Sequence, residues 1–230
     1  MILRPYTAVF TALLSCLAML SMPVEAADFV VFNSKASFLA ATGAQSATGP
    51  IPNLGKVANT GGPATLGSVT FAVPSPSVDL WFGAGGGLDW TPLIAGNELA
   101  IGGSENLNAG FFAPVYSAGF DFAEPACSGA CGPSTFEITL KSFGQTVATF
   151  SYQPPQNVGT FWGVGGTTQF DLIAIREAAP ADIADEHFGQ FYSSTAPIPE
   201  ASTVYELAAG LLIAISVMIR RNGNVRATRA

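Results

Sequence analysis

Thr135-Phe136-Glu137-Ile138-Thr139-Leu140-Lys141 alternates without a break. In an extended chain successive side chains point to opposite faces, so Phe136, Ile138 and Leu140 share one face and the polar residues the other. A helix would scatter this set around its axis, so the segment reads as a half-buried antiparallel strand. Ser142-Phe143-Gly144-Gln145 follows as a hairpin turn. Thr146 to Tyr152 then returns with Ala148, Phe150 and Tyr152 on one face.

Working outward from this hairpin, the same reading finds further strands. Gly67 to Val73 places Val69, Phe71 and Val73 together, and Val115 to Phe122 does the same with Ala118, Phe120 and Phe122. Thr160 to Val164, Thr168 to Arg176 and His187 to Tyr192 complete the later set, and Phe29 to Phe32 opens it. Ser34 is placed to cap a short helix whose buried side carries Phe38, Leu39 and Ala41. Residues 45–62, rich in Gly, Pro, Asn and Thr, read as loop. Strands at this spacing with little helix predict an all-β fold, an antiparallel β-sandwich of jelly-roll type. Seventeen Phe supply the bulk for a core between two sheets.

Composition agrees. Only 11% of the 230 residues are charged, with 25 Gly and 16 Pro, which disfavours a helical bundle. The full chain carries a net charge of −7, yet the region from Asp28 to Pro199 holds only Lys35, Lys56, Lys141 and Arg176 against thirteen acidic residues. A middle this acidic repels phosphate backbones, which excludes nucleic acid as a partner.

The ends carry different chemistry. Arg4 precedes an apolar stretch from about Ala8 to Met22; Pro23 breaks it, and Val24-Glu25-Ala26 offers a signal-peptidase site. Residues 1–26 are therefore expected to be a signal helix exported through the Sec route, with cleavage after Ala26 or after Ala27. An uncleaved anchor is the alternative. Export leaves Cys127 and Cys131, and an oxidising compartment favours a small disulfide loop between them over half of a metal site. At the other end, Val204 to Ile219 is apolar apart from Glu206 and Ser216 and stops at Arg220-Arg221. A bilayer core takes about 20 helical residues, so residues 204–219 form a short transmembrane helix held in the membrane transiently, its arginines cytoplasmic.

This tail resembles a PEP-CTERM sorting signal of exported bacterial proteins. Pro199-Glu200-Ala201-Ser202-Thr203 occupies the motif, with Ala201 where a second Pro is usual; Leu207 to Ile219 occupies the helix and Arg220-Arg221 the stop. The resemblance implies recognition by exosortase, a membrane-embedded cysteine transpeptidase, with cleavage near residues 199–201. It also implies delivery to the cell surface or extracellular matrix of an exopolysaccharide-producing cell. A second resemblance lies in FNSKASFLAATG (32–43), GSVTF (67–71), PVYSAGFDF (114–122), TFWGVGGTTQFDLIAI (160–175) and DEHFGQF (185–191), which look like the ectodomain common in that group. In this chain Asp185 lacks the Asn that usually follows it. That resemblance implies a lectin-like sandwich and no particular activity. The organisation expected is signal 1–26, sandwich ectodomain 27–195 and sorting signal 196–230.

Catalytic motifs are missing from the sequence. No serine lies in Gly-x-Ser-x-Gly, His187 is the only histidine, and neither His-Glu-x-x-His nor a phosphate loop occurs. Asp121 with Glu124, or Asp171 with Glu137, are nominal glycosidase pairs, and the plainer reading makes them solvent-facing acids. Trp81, Trp90 and Trp162 are candidate sugar contacts, because an aromatic face stacks on a pyranose; the alternative places them in the core. Asp182, Asp185 and Glu186 form an acidic cluster where a structural calcium is conceivable, although no calcium-loop motif is present. No other cofactor is expected. The reading is a non-enzymatic, exosortase-sorted structural or adhesive module associated with exopolysaccharide. A carbohydrate-binding module is the alternative, and an extracellular glycoside hydrolase a distant one.

Overall fold

The alternating segment forms its expected hairpin: Phe136, Ile138 and Leu140 are fully buried, and the return strand pairs back in antiparallel register. Phe143 and Gly144 turn the chain with φ of 49° and 83°, the left-handed pair that matches strand twist in a two-residue hairpin. The computed structural model describes residues 29–58, 63–74, 79–83, 93–101, 106–125, 134–179 and 186–198. All of them belong to one unit, Asp28–Ile198.

In chain order the elements are β1 (Phe29–Phe32), α1 (Lys35–Thr42), β2 (Gln45–Ser46), β3 (Gly55–Ala58), β4 (Ala64–Leu66), β5 (Val69–Ala72), β6 (Asp79–Gly83), β7 (Glu98–Ile101), β8 (Leu107–Ala123), β9 (Thr135–Ser142), β10 (Gln145–Tyr152), β11 (Thr160–Ala179) and β12 (Glu186–Ser194). Every strand-to-strand ladder among them is antiparallel.

Two long strands build the sandwich. The first half of β11 pairs with the second half of β8 (Val164 with Ala118) and with β1. The second half of β11 pairs with the first half of β8 (Ile173 with Ala109) and with β9. Between these halves the register slips twice, around Phe170. Bulges of this kind let a strand leave one sheet and enter another. The hydrogen-bonded network thus folds into two layers. Layer one runs β1-β11-β8-β12-β7-β6-β3, with β2 also on β12; layer two runs β10-β9-β11-β8-β5-β4.

Aromatic rings fill the space between the layers. Phe191 of layer one meets Phe71 of layer two at 5.0 Å between centroids, Phe122 meets Phe136 at 5.2 Å, and Trp162 meets Phe150 at 5.8 Å. Each such ring contributes roughly 1.5–3 kcal/mol by leaving water. A smaller cluster of Phe38, Ala44, Phe161 and Tyr192 packs α1 onto the outer face of layer one.

Several expectations need correction. Residues 45–62 are not all loop: β2 pairs with β12, and β3 pairs with β6. These are backbone pairings to strands distant in sequence, which local composition does not report. Ala41 is exposed; the buried helix partner of Phe38 is Thr42, whose hydroxyl bonds the Phe38 carbonyl at 2.8 Å. Thr160–Val164 and Thr168–Arg176 are one strand, because the chain stays extended through Gly165, Gly166 and Thr167 as it changes layers. No helix among the described residues is long and apolar enough to cross a membrane; residues 204–219 lie outside them.

Candidate functional site

Period-two alternation gives layer one an outer face as well as an inner one. Phe120 and Phe122 of β8 point into the core, so Asp121 points out; on β12, Gln190 and Tyr192 also take outward positions. α1 begins at the edge of this face and brings Lys35 over it. Together with Thr160 of β11 and residues 93–95, these side chains line a cleft of about 230 Å³.

Its polar groups are held in a connected set. The Lys35 ammonium donates to both Asp121 oxygens, at 2.8 and 3.2 Å, and lies 4.4 Å from the Tyr192 ring centroid. The Tyr192 hydroxyl is 3.4 Å from both Asp121 Oδ2 and Gln190 Oε1, which share its proton. Ser46 donates to Gln190 Oε1 at 3.1 Å, fixing the side-chain amide. Tyr152 and Thr160 are joined at 2.7 Å, and Thr160 donates onward to the Phe122 carbonyl at 3.0 Å.

Burial works to lower the Lys35 pKa, but its bonds to Asp121 and Tyr192 together outweigh burial and hold it above the usual lysine range. Burial pushes the Tyr192 phenol up, with the Lys35 bond opposing. Tyr152 is raised for the same first reason, against the opposing bond to Thr160. At neutral pH the cleft therefore carries a protonated ammonium and a neutral phenol.

The cleft wall is positioned from behind. Glu98 Oε1 accepts the Ile94 amide at 3.1 Å while its Oε2 lies 2.6 Å from His187 Nδ1, and both side chains are buried. Gly189 makes the approach of this wall possible. A Cβ there would fall 2.8 Å from both Asp121 Cβ and Ile94 Cγ2.

The sequence candidates are distributed unevenly. Trp162 is 1% exposed and packed against Phe120 and Phe150 in the core, so its ring faces are not offered to a sugar. Trp81 is half-buried on β6, opposite Lys56 and Ala100, outside the cleft lining. Trp90, Cys127, Cys131, Asp182, Asp185, Ala26, Ala27, Pro199–Thr203, Arg220 and Arg221 lie outside the described residues.

The nominal acid pairs do not share a site. Asp121 faces the cleft, while Glu124 is fully buried. Asp171 accepts the Phe143 amide at the hairpin turn, and Glu137 is exposed opposite Arg176, five residues further along β11. At the rise of an extended chain that is about 16 Å. His187 is buried against Glu98 rather than presented to a substrate. Lys35, Gln190 and Tyr192 were not identified from sequence. Strict alternation would put Gln190 and Tyr192 on the face of Phe188; the register shift between Phe188 and Phe191 turns them outward, and neither that shift nor the partner from α1 is legible in the sequence.

A groove of about 420 Å³ lies beside the cleft and shares Thr160 with it. Val31, Tyr152, Pro155, Phe161 and Trp162 line it together with the uncharged polar Asn33, Ser151, Gln153 and Thr160. Acceptor oxygens beside fixed donors, as in the cleft, suit vicinal hydroxyl groups.

No family model matches the chain, and no curated protein is similar to it in sequence. Among solved structures it is similar to the K2 cleaved adhesin domain of Lys-gingipain, at 12% identity and a TM-score of 0.38, over 72% of this chain and 99% of that one. It is also similar to the C-terminal family 22 carbohydrate binding module of Clostridium thermocellum Xyn10B, at 13% identity and a TM-score of 0.34, over 65% and 99% of the two chains. The family 11 carbohydrate-binding module of the cellulosomal cellulase Lic26A-Cel5E of Clostridium thermocellum follows at 12% identity and 0.32, over 70% and 99%.

Proposed function

We propose that this sandwich, jelly-roll-like in kind, is a non-catalytic module of the cell exterior that adheres to carbohydrate. The cleft between α1, β8 and β12 takes a sugar residue of the cell's own exopolysaccharide. One observation carries this reading: Lys35, Asp121, Gln190 and Tyr192 converge from three elements into one hydrogen-bonded set. Such a set presents an ammonium, a carboxylate and an amide in fixed positions, the equipment that orients a polyhydroxylated ligand. At about 230 Å³ the cleft is smaller than the roughly 300–1,000 Å³ of drug-sized sites, and it suits one pyranose with the chain continuing outside.

Delivery belongs to the same proposal. Residues 1–26 export the chain, and Pro199 to Thr203 with the short apolar helix and Arg220-Arg221 address it to an exosortase-type transpeptidase. That enzyme releases the chain from the inner membrane to the cell surface or matrix. The motif and its spacing support this reading. Incubating the exported protein with the cell's purified polysaccharide tests the binding: saturable retention, competed by short fragments of the same polymer, is expected. Retention unaffected by competitor refutes it. Intact mass of the extracellular protein tests the sorting, since a product that keeps Leu207 to Ala230 contradicts it.

A further inference from the structure

The groove beside the cleft is built on the open side of the sandwich. Among the described residues β1 pairs only with β11 and β10 only with β9, so each is the edge of its layer. Phe29 of β1 meets Phe150 of β10 at 6.2 Å between centroids, which brings these two edges together. Val31 and Asn33 from one side, Ser151, Tyr152 and Gln153 from the other, and Thr160 of β11 line the groove.

This lining offers both halves of what a sugar ring needs. The amides and hydroxyls of Asn33, Gln153, Ser151 and Thr160 supply donors and acceptors, while Val31, Pro155 and Phe161 supply apolar surface for C–H faces. Thr160 lines the cleft as well, so the two compartments share a wall. Its one proton goes to the Phe122 carbonyl at 3.0 Å. The Tyr152 hydroxyl therefore donates to Thr160 at 2.7 Å and keeps its own oxygen as an acceptor.

Neither compartment has a cation to spare. No charged side chain lines the groove, and in the cleft Lys35 donates to both oxygens of Asp121. A sugar carboxylate would have to displace that bond. It would also enter a region, Asp28 to Pro199, where thirteen acidic residues outnumber four basic ones.

We infer that cleft and groove form one binding track for an uncharged polysaccharide. The cleft takes one residue and the groove roughly two of its neighbours, in keeping with volumes of about 230 and 420 Å³. The inference rests on the sugar reading of the cleft and adds to it a length and a charge preference.

NMR titration of the exported protein tests both, using fragments of the cell's polysaccharide sorted by length from one residue to six. Each fragment is prepared in two forms: carboxyl-reduced, so that every residue is neutral, and oxidised at its primary alcohols to uronates. Affinity for neutral fragments should rise about tenfold or more from one residue to three and then level off. The oxidised three-residue fragment should bind about tenfold more weakly than its neutral counterpart. Gln153→Ala, exposed and outside the cleft lining, should remove most of the gain with length while a single residue binds as before. Val31→Asp, which places a carboxylate in the groove at a side chain 42% exposed, should do the same. Both variants should keep the parent's denaturant midpoint. Single-residue binding with no gain in length, or a gain that both variants keep, overturns the track and leaves the cleft reading standing. Oxidised fragments that bind as well as neutral ones overturn the charge preference. A concentration-dependent dimer that Val31→Asp breaks, with no gain in length, gives the groove to a second copy of the chain and overturns the track. Failure of every fragment in both forms refutes the sugar reading itself, and the track with it.

Discussion

Layer one has two faces built from the same strands, one register step apart. Inward, Phe120, Phe122, Trp162, Phe188 and Phe191 form a ring cluster almost without exposure. Outward, Asp121, Gln190 and Tyr192 form the cleft. One face carries the fold and the other the candidate function, so mutations one residue apart should separate the two. This is the sheet analogue of an amphipathic helix, with a sharper division because the period is two.

The largest effect is expected on the inner face. Phe120 touches Phe122, Trp162, Phe188 and Phe191, with centroids 5.2–6.3 Å away. Phe120→Ala should cost about 3–5 kcal/mol in denaturant unfolding. A loss below about 1 kcal/mol would mean that the inner face is not the core. Gly189→Ala comes next, because it inserts a methyl between the two faces' supports. Contacts of 2.8 Å with Asp121 and Ile94 have to open, at about 1–3 kcal/mol. Polysaccharide retention should fall with it, and unchanged retention would show that the wall at Ile94 does not matter.

Alkaline pH probes Lys35 and Tyr192 of the outer face, and Tyr152 bonded to Thr160 beside it, without mutation. Lys35 titrates above its ordinary 10.5, and Tyr152 and Tyr192 above their ordinary 10.0. For each group the protonated form is favoured in the folded state. The stability this brings is whole below the ordinary value and is lost as pH rises through the folded one. Unfolding free energy should therefore decline beyond about pH 10, and Tyr192→Phe should reduce the decline. An identical alkaline profile for that variant would contradict the account of the cleft. The smallest effect concerns Phe143, 80% exposed at φ 49°. Phe143→Asn should be neutral or stabilise by up to about 1 kcal/mol, because Asn tolerates the left-handed region and no packing is lost.

How much of this was legible depends on range. The β9–β10 hairpin was read residue by residue, since alternation and turn chemistry are local. The start of α1 was legible too, with its Ser34 cap accepting the Ser37 amide at 3.4 Å, though its buried face was misplaced at Ala41. The cleft was not, because Lys35 and Asp121 are 86 residues apart and meet only through the packing of α1 on layer one. β6 and β7 escaped notice because Phe82, Leu99, Ala100 and Ile101 are all buried. A strand buried on both sides has no polar face to mark its period. Trp162 illustrates the reverse error: a tryptophan near a strand end looks available until register places it inward.

The division between the faces is tested most directly at Asp121. Asp121→Asn keeps the size of the side chain and removes the charge that Lys35 pairs with. Calorimetric titration of the exopolysaccharide into both proteins, alongside their denaturant curves, measures the two faces at once. Affinity should fall at least tenfold while stability changes by about 1 kcal/mol or less, as expected for a part-exposed ion pair. Undiminished affinity in Asp121→Asn would contradict the assignment of sugar binding to this cleft.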